Sequence, residues 1–203
     1  MNYQIILFIV LSFSMNISFS QNELVDLENE SSKFSYEIRY ATPNNFIGEA
    51  LYDCPKCLLR PEIAAALIKA NQYFCELGYR IRIYDCYRPL DVQKKMWKKV
   101  PRATYVANPY DKGSIHNKGA AVDITLETIE GCYVEMGSDY DYFGRESHID
   151  NLNFSKEILS HRKLLIEGMK KFGFITVRTE WWHFSFRRNR SYKTLNIPLP
   201  CPN

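Results

Sequence analysis

Two short stretches hold residue types that can do chemistry together. Residues 114–123 read SIHNKGAAVD, with His116 in a polar, glycine-containing turn and Asp123 inside an apolar run. A carboxylate flanked by Val122 and Ile124 needs a partner, because burying one alone is costly. Sixty residues later comes Glu180-Trp181-Trp182-His183. Either stretch alone reads more readily as ordinary structure: a histidine near an aspartate, or a surface glutamate beside a packed histidine. Jointly they supply His116, Asp123 and His183, a donor set that suits zinc and leaves a fourth position for water. A metal lowers the pKa of such a water from about 16 to roughly 7. Glu180, not itself a ligand, is then the candidate base that takes its proton and later gives one to a leaving amine.

The elements that must position these residues follow from pattern. A strand over 120–126 puts Val122, Ile124 and Leu126 on a core face and Ala121, Asp123 and Thr125 on the other. A straight strand over 181–186 separates Glu180 from His183, so the two can share a site only if the chain bends or bulges near Glu180. Trp182, Phe184 and Phe186 form an aromatic stripe that reads as core. Pro61 opens a helical pattern through Ile63, Leu67, Ala70 and Phe74, which Gly78 ends. Strands are expected over 34–42, 79–85 and 174–177, and helices over 90–98 and 156–172. Helices and strands do not alternate regularly, which predicts a single α+β domain whose central sheet is mostly antiparallel, with helices packed on it.

Composition bounds the rest. An apolar core from Ile5 to Phe13, followed by Ser18 and Ser20, reads as a secretory signal peptide over 1–20, although no Lys or Arg precedes it. No later segment is long and apolar enough to cross a membrane. Residues 21–33 are polar and acidic and are expected to be a mobile leader, with one domain over 34–203. A net charge of +3 gives no argument for a nucleic-acid partner. Six cysteines in an exported chain predict disulfides for most of them, with fifteen full pairings open. Cys54 and Cys57 form a CxxC, but a zinc site would want a second close pair, and no second CxxC exists.

On these residues a resemblance becomes specific. S114-x-H116-x-x-G119-x-A121-x-D123, followed by E180-x-W182-H183, resembles the motifs of the zinc D-alanyl-D-alanine dipeptidases, within the D-Ala-D-Ala metallopeptidase and Hedgehog-like fold group. ATPNNFIG (41–48), LLRPE (58–62), DCYRP (85–89) and MGSDYDYF (136–143) fall in family-like order. The resemblance implies His116, Asp123 and His183 as ligands of one zinc ion and Glu180 as catalytic base. It also implies Arg88 as the group polarising the scissile carbonyl, a role whose bland counterpart is an arginine paired with a carboxylate at a strand end. Asp141 matches an aspartate that binds the substrate's free ammonium, with Asp139 close by. Ser114 is a further substrate-contact candidate, while His148 and His161 lie outside the motifs. The implied substrate is the dipeptide D-Ala-D-Ala. A zinc D,D-carboxypeptidase acting on wall stem peptides, or a metal-containing binder without activity, are the alternatives. Position 86 departs from the pattern, being cysteine where similar sequences usually carry a small residue, and a disulfide there would stiffen the strand leading to Arg88. With export to the periplasm, the expected role is recycling or turnover of wall-derived dipeptide.

Overall fold

The computed structural model describes residues 24–31, 33–187 and 192–202; the expected signal peptide lies outside them. In chain order the strands are β1 (Val25–Asp26), β2 (Ser35–Tyr36), β3 (Leu58–Leu59), β4 (Tyr79–Asp85), β5 (Ala121–Thr128), β6 (Phe174–Val177) and β7 (Glu180–Phe186). The helices are α1 (Leu27–Glu30), α2 (Pro61–Glu76), α3 (Leu90–Lys99) and α4 (Lys156–Lys171). Five strands form one sheet in the order β2-β4-β5-β7-β6, antiparallel except for the β2–β4 pair. This is the α+β architecture that the pattern of elements predicts. β1 and β3 form a separate antiparallel pair.

Register divides the sheet by chemistry. Ile81 faces Leu126, Ile83 faces Ile124, and Val122 faces Phe184, all of them fully buried. These six residues join Ile63, Leu67, Ala70 and Phe74 of α2 and Leu165 and Met169 of α4 in one core. Since side chains alternate along a strand, the residues between them project the other way. There Arg82 pairs with Thr125 and Asp123 with His183. The sheet therefore carries an apolar face for the helices and a polar face for the site.

Two expectations are corrected. Residues 24–31 are not a free leader: Val25 pairs with Leu59, Leu27 is fully buried, and Asp26 lies 2.8 Å from the Lys56 ammonium. One apolar anchor and an ion pair outweigh the polar composition of the stretch. The strand expected over 34–42 stops at Tyr36, and residues 39–41 form a 3-10 turn. Asn45 holds that turn, its side-chain amide donating to the carbonyls of Arg39, Thr42 and Glu49, a local bonding that competes with a strand ladder.

Candidate metal centre and substrate pocket

His116 opens a 3-10 turn, His116–Lys118, that Gly119 ends at φ 65°. This left-handed conformation suits glycine, and it turns the chain from His116 directly into β5 and Asp123. β7 is irregular in the way the sequence requires. Thr176 of β6 faces Phe184, yet the next residue, Val177, faces Glu180, so β7 carries extra residues between these pairs. The bulge brings Glu180 Oε2 to 4.0 Å from His183 Nδ1.

Three donor atoms converge. His116 Nε2 lies 3.1 Å from Asp123 Oδ1 and 3.1 Å from His183 Nδ1, and His183 Nδ1 lies 3.0 Å from Asp123 Oδ1. All three residues are buried. The outer nitrogens of both imidazoles are engaged. His116 Nδ1 is 2.7 Å from the Cys86 carbonyl, which only accepts, so Nδ1 carries the proton and Nε2 turns a lone pair inward. A proton on His183 Nε2 finds an acceptor in Ser185 Oγ at 2.8 Å, which frees Nδ1 in the same way. Three inward acceptors so close repel one another unless a cation lies among them. Tetrahedral zinc bonds to N and O place neighbouring donors about 3.3 Å apart, close to the spacing observed. The donor set and its outer hydrogen bonds fit zinc. Burial opposes a charge on His116, but Asp123 outweighs it and holds the imidazole above its ordinary pKa.

A cavity of about 270 Å³ opens over this cluster, and Arg88, Ser114, Asp141, Glu180 and Trp182 share its lining with the three donors. Burial pushes Glu180 up to about 7; Asp123 and Asp141 add to the shift, and His183 and Arg88 oppose it. Asp141 is the one non-glycine with positive φ among the described residues, at 58°. Burial, and then the charge of Asp123, push its carboxyl up to about 8. Its neighbour Asp139 is 69 % exposed and pairs with Arg39, so of the two it is Asp141 that faces the pocket. Ser114 Oγ accepts from the His116 amide at 3.2 Å.

Arg88 pairs with a carboxylate at the end of β4 and also lines the pocket. Its Nε and Nη2 donate to Asp85 Oδ2 at 3.1 and 2.7 Å, and Nη1 donates to Gln93 Oε1 at 2.8 Å. These bonds fix the guanidinium while it still lines the pocket, with Nη2 3.9 Å from Asp123 Oδ2. His148 and His161 stay outside: His148 sits beside Arg145 and Arg178, and His161 donates to the Glu135 carbonyl.

Several supporting residues escape sequence reasoning. Asp85 is fully buried and accepts from both Tyr52 and Arg88; its place three residues before Arg88 was the available signal. Tyr40 donates to Asp141 at 2.8 Å and Tyr140 to Asp123 at 2.9 Å. Nothing in a tyrosine's local sequence distinguishes a hydroxyl aimed at a carboxylate from an aromatic core residue. Trp182, read as core, is both 2 % exposed and a wall of the pocket.

The cysteines fall into two close pairs. Cys57 and Cys86 have Cα atoms 5.1 Å apart and Cys54 and Cys201 5.5 Å apart, within disulfide range. Cys75 and Cys132 have no such partner among the described residues. The CxxC residues thus pair elsewhere rather than with each other.

Comparison with known proteins agrees with this geometry. A family model described as D-ala-D-ala dipeptidase matches residues 20–197. The D-alanyl-D-alanine dipeptidase of Escherichia coli is 33 % identical over 179 residues, covering 88 % of this chain and 92 % of that protein. Proteins of the same name from Enterococcus faecalis and Enterococcus faecium are 26 % and 28 % identical, over 89 % and 75 % of this chain and 95 % and 85 % of their own lengths. The chain belongs to the D-Ala-D-Ala dipeptidase family.

Proposed function

We propose that this protein hydrolyses D-alanyl-D-alanine to two D-alanines, with His116, Asp123 and His183 holding one zinc ion. The observation that carries this reading is the convergence of those three donors at 3.0–3.1 Å beneath Glu180 in a pocket of dipeptide size. When bound, zinc supplies Lewis acidity toward the scissile carbonyl and toward the attacking water. Glu180 takes the water's proton as its oxygen bonds to the carbonyl carbon. The same carboxyl then gives a proton to the amide nitrogen as the C–N bond breaks, releasing the second D-alanine as an amine. Arg88, held by Asp85 and Gln93, meets the negative charge growing on the carbonyl oxygen. Asp141 pairs with the free ammonium. That pairing selects dipeptides, because a longer chain presents an uncharged amide there and forgoes the ion pair. Ser114, at the pocket wall, is a further contact for the substrate.

Hydrolysis of D-Ala-D-Ala and of its N-acetyl form by the zinc-loaded protein tests the proposal. Cleavage of the free dipeptide, lost on chelation and restored by zinc, is expected. Activity on the blocked substrate alone would reassign the protein as a carboxypeptidase, and a zinc-loaded protein inert to both would be a binder. The reading extends to place: an exported enzyme cannot reach cytoplasmic dipeptide, so recycling or turnover of wall-derived dipeptide is the proposed role. The two cysteine pairs at disulfide distance support an oxidising compartment. Among the described residues no helix is long and apolar enough to cross a membrane. Cell fractionation that finds the mature protein in the cytoplasm would overturn the assignment of place.

A further inference from the structure

Asp123 uses its two oxygens differently. Oδ1 faces both imidazoles, at 3.1 and 3.0 Å. Oδ2 turns away from them and accepts a hydrogen bond from the Tyr140 hydroxyl at 2.9 Å. The other donor near Oδ2 is Arg88 Nη2, at 3.9 Å and already committed to Asp85. Tyr140 is 3 % exposed, and its ring is packed edge-on to Tyr40 and Trp182 and tilted against Tyr84, with centroids 6.0, 5.4 and 4.8 Å away. Ring packing on three sides fixes where the hydroxyl oxygen sits, beside Asp123 Oδ2.

We propose that Tyr140 is a positioning residue that holds Asp123 to a single ligating oxygen and so keeps the centre's fourth position open toward Glu180. The inference rests on the reading of His116, Asp123 and His183 as a zinc site. A carboxylate can bind a cation through one oxygen or both. Were Oδ2 free, a rotation of the Asp123 carboxylate would bring a second oxygen into the space that water and substrate need. A buried oxygen with no donor gains by such a rotation, because the cation then satisfies it. The Tyr140 hydroxyl removes that incentive. It also fixes the carboxylate plane, so that Oδ1 meets the two imidazole nitrogens at matched distances. Such outer hydrogen bonds to a ligand typically change metal affinity by about 10- to 100-fold. The MGSDYDYF segment thereby serves the site twice, through Tyr140 to the ligand Asp123 and through Asp141 to the pocket.

The test compares Tyr140→Phe with Tyr84→Phe, which removes a hydroxyl from the same buried ring cluster without touching Asp123. Zinc affinity is measured by competition with a chelating dye, and the coordination number by the visible absorption of the cobalt-substituted proteins. In Tyr140→Phe, weaker cobalt bands should report a higher coordination number, and zinc affinity should change by about 10-fold or more. Tyr84→Phe should match the wild type in both. Equal zinc affinity and an unchanged cobalt spectrum in Tyr140→Phe would overturn the inference and leave the zinc reading standing. A wild-type protein that binds no zinc would overturn the zinc reading itself, and this inference with it. Should Tyr140→Phe not fold, the infrared difference spectrum of the wild type, zinc-loaded minus zinc-free, decides. A carboxylate splitting of the one-oxygen kind supports the proposal, and the two-oxygen kind overturns it.

Discussion

At the scale of single residues, the roles proposed for Glu180 as base and for Asp141 as partner of the substrate ammonium each make a prediction. Glu180→Gln keeps the shape of the pocket and all three metal donors but cannot carry the proton. Its kcat should fall by about 10²- to 10⁴-fold with zinc content unchanged, which metal analysis alongside steady-state kinetics measures. That variant also becomes the means of studying Asp141, because it binds the dipeptide without consuming it. Burial and the charge of Asp123 push Asp141 up to about 8; a cation beside Asp123 cancels the second contribution and leaves the first. Folded Asp141 therefore keeps a proton that the unfolded chain loses near pH 4. In the metal-free protein the group's share of stability is fully present below that value and is lost as the pH rises through about 8, and a cation beside Asp123 lowers that upper limit. An arriving ammonium reverses the preference, since it stabilises the ionised carboxylate. Dipeptide binding at neutral pH should then release a proton, and affinity should weaken as the pH falls below the free group's value. Calorimetry of Glu180→Gln in buffers of different ionisation enthalpy reads the proton directly. Adding Asp141→Asn should abolish the release, and release that survives it would remove Asp141 from the ammonium site.

At the scale of elements, α2 and α4 make a contact that admits no side chain at one point. Gly168 of α4 lies against Phe74, such that a Cβ there would come within 2.3 Å of the ring's Cζ. Phe74 is fully buried and cannot swing aside. Gly168→Ala gains roughly 1 kcal/mol of helix propensity but overpacks the core at a cost of about 1–3 kcal/mol. A lower midpoint in denaturant is expected, with activity per folded molecule unchanged; a more stable variant would show that the ring has room. The same elements show how much the sequence carries. The long helices and strands β4–β7 were legible because their apolar periods are strong, and a glycine or proline marks one or both ends of all of them but β7. The need for a bulge at Glu180 followed from period-two geometry alone, given that Glu180 and His183 share a site. What could not be read depends on specific hydrogen-bond and ion-pair partners, near or distant in sequence, that apolar periodicity does not reveal. The Arg39–Ala41 turn takes its bonds from Asn44, Asn45 and Asp139, and the anchoring of Leu27 depends on Cys57 and Lys56. The tyrosines of the site are silent for the same reason: Tyr140 becomes informative only once Asp123 is known to lie beside it.

At the scale of the whole molecule, the pocket is assembled from Arg88, His116, Asp123, Asp141 and the 180–183 bulge, and the two cysteine pairs at disulfide distance would, as cross-links, tie down different parts of that assembly. Cys54 and Cys201 are separated by 147 residues, Cys57 and Cys86 by 29. Cross-links that close loops of such lengths stabilise a fold by about 3–5 kcal/mol each in the chain-entropy picture. Their consequences for chemistry should differ. Cys201 lies near the end of the chain and touches none of the site. Cys86 is two residues from Arg88, and its carbonyl accepts the His116 Nδ1 proton at 2.7 Å. Alkylation of the native protein should therefore label Cys75 and Cys132 alone of the six. Cys201→Ser should lower the unfolding temperature while kcat/KM of the remaining folded protein holds. Cys57→Ser combined with Cys86→Ser should lower both, because the backbone that orients His116, a proposed metal ligand, and delivers Arg88 is then tethered by hydrogen bonds alone. Full activity in that double variant at temperatures where it stays folded would show that β4 and the His116 turn hold the carbonyl in place without the cross-link. Its role would then be confined to stability.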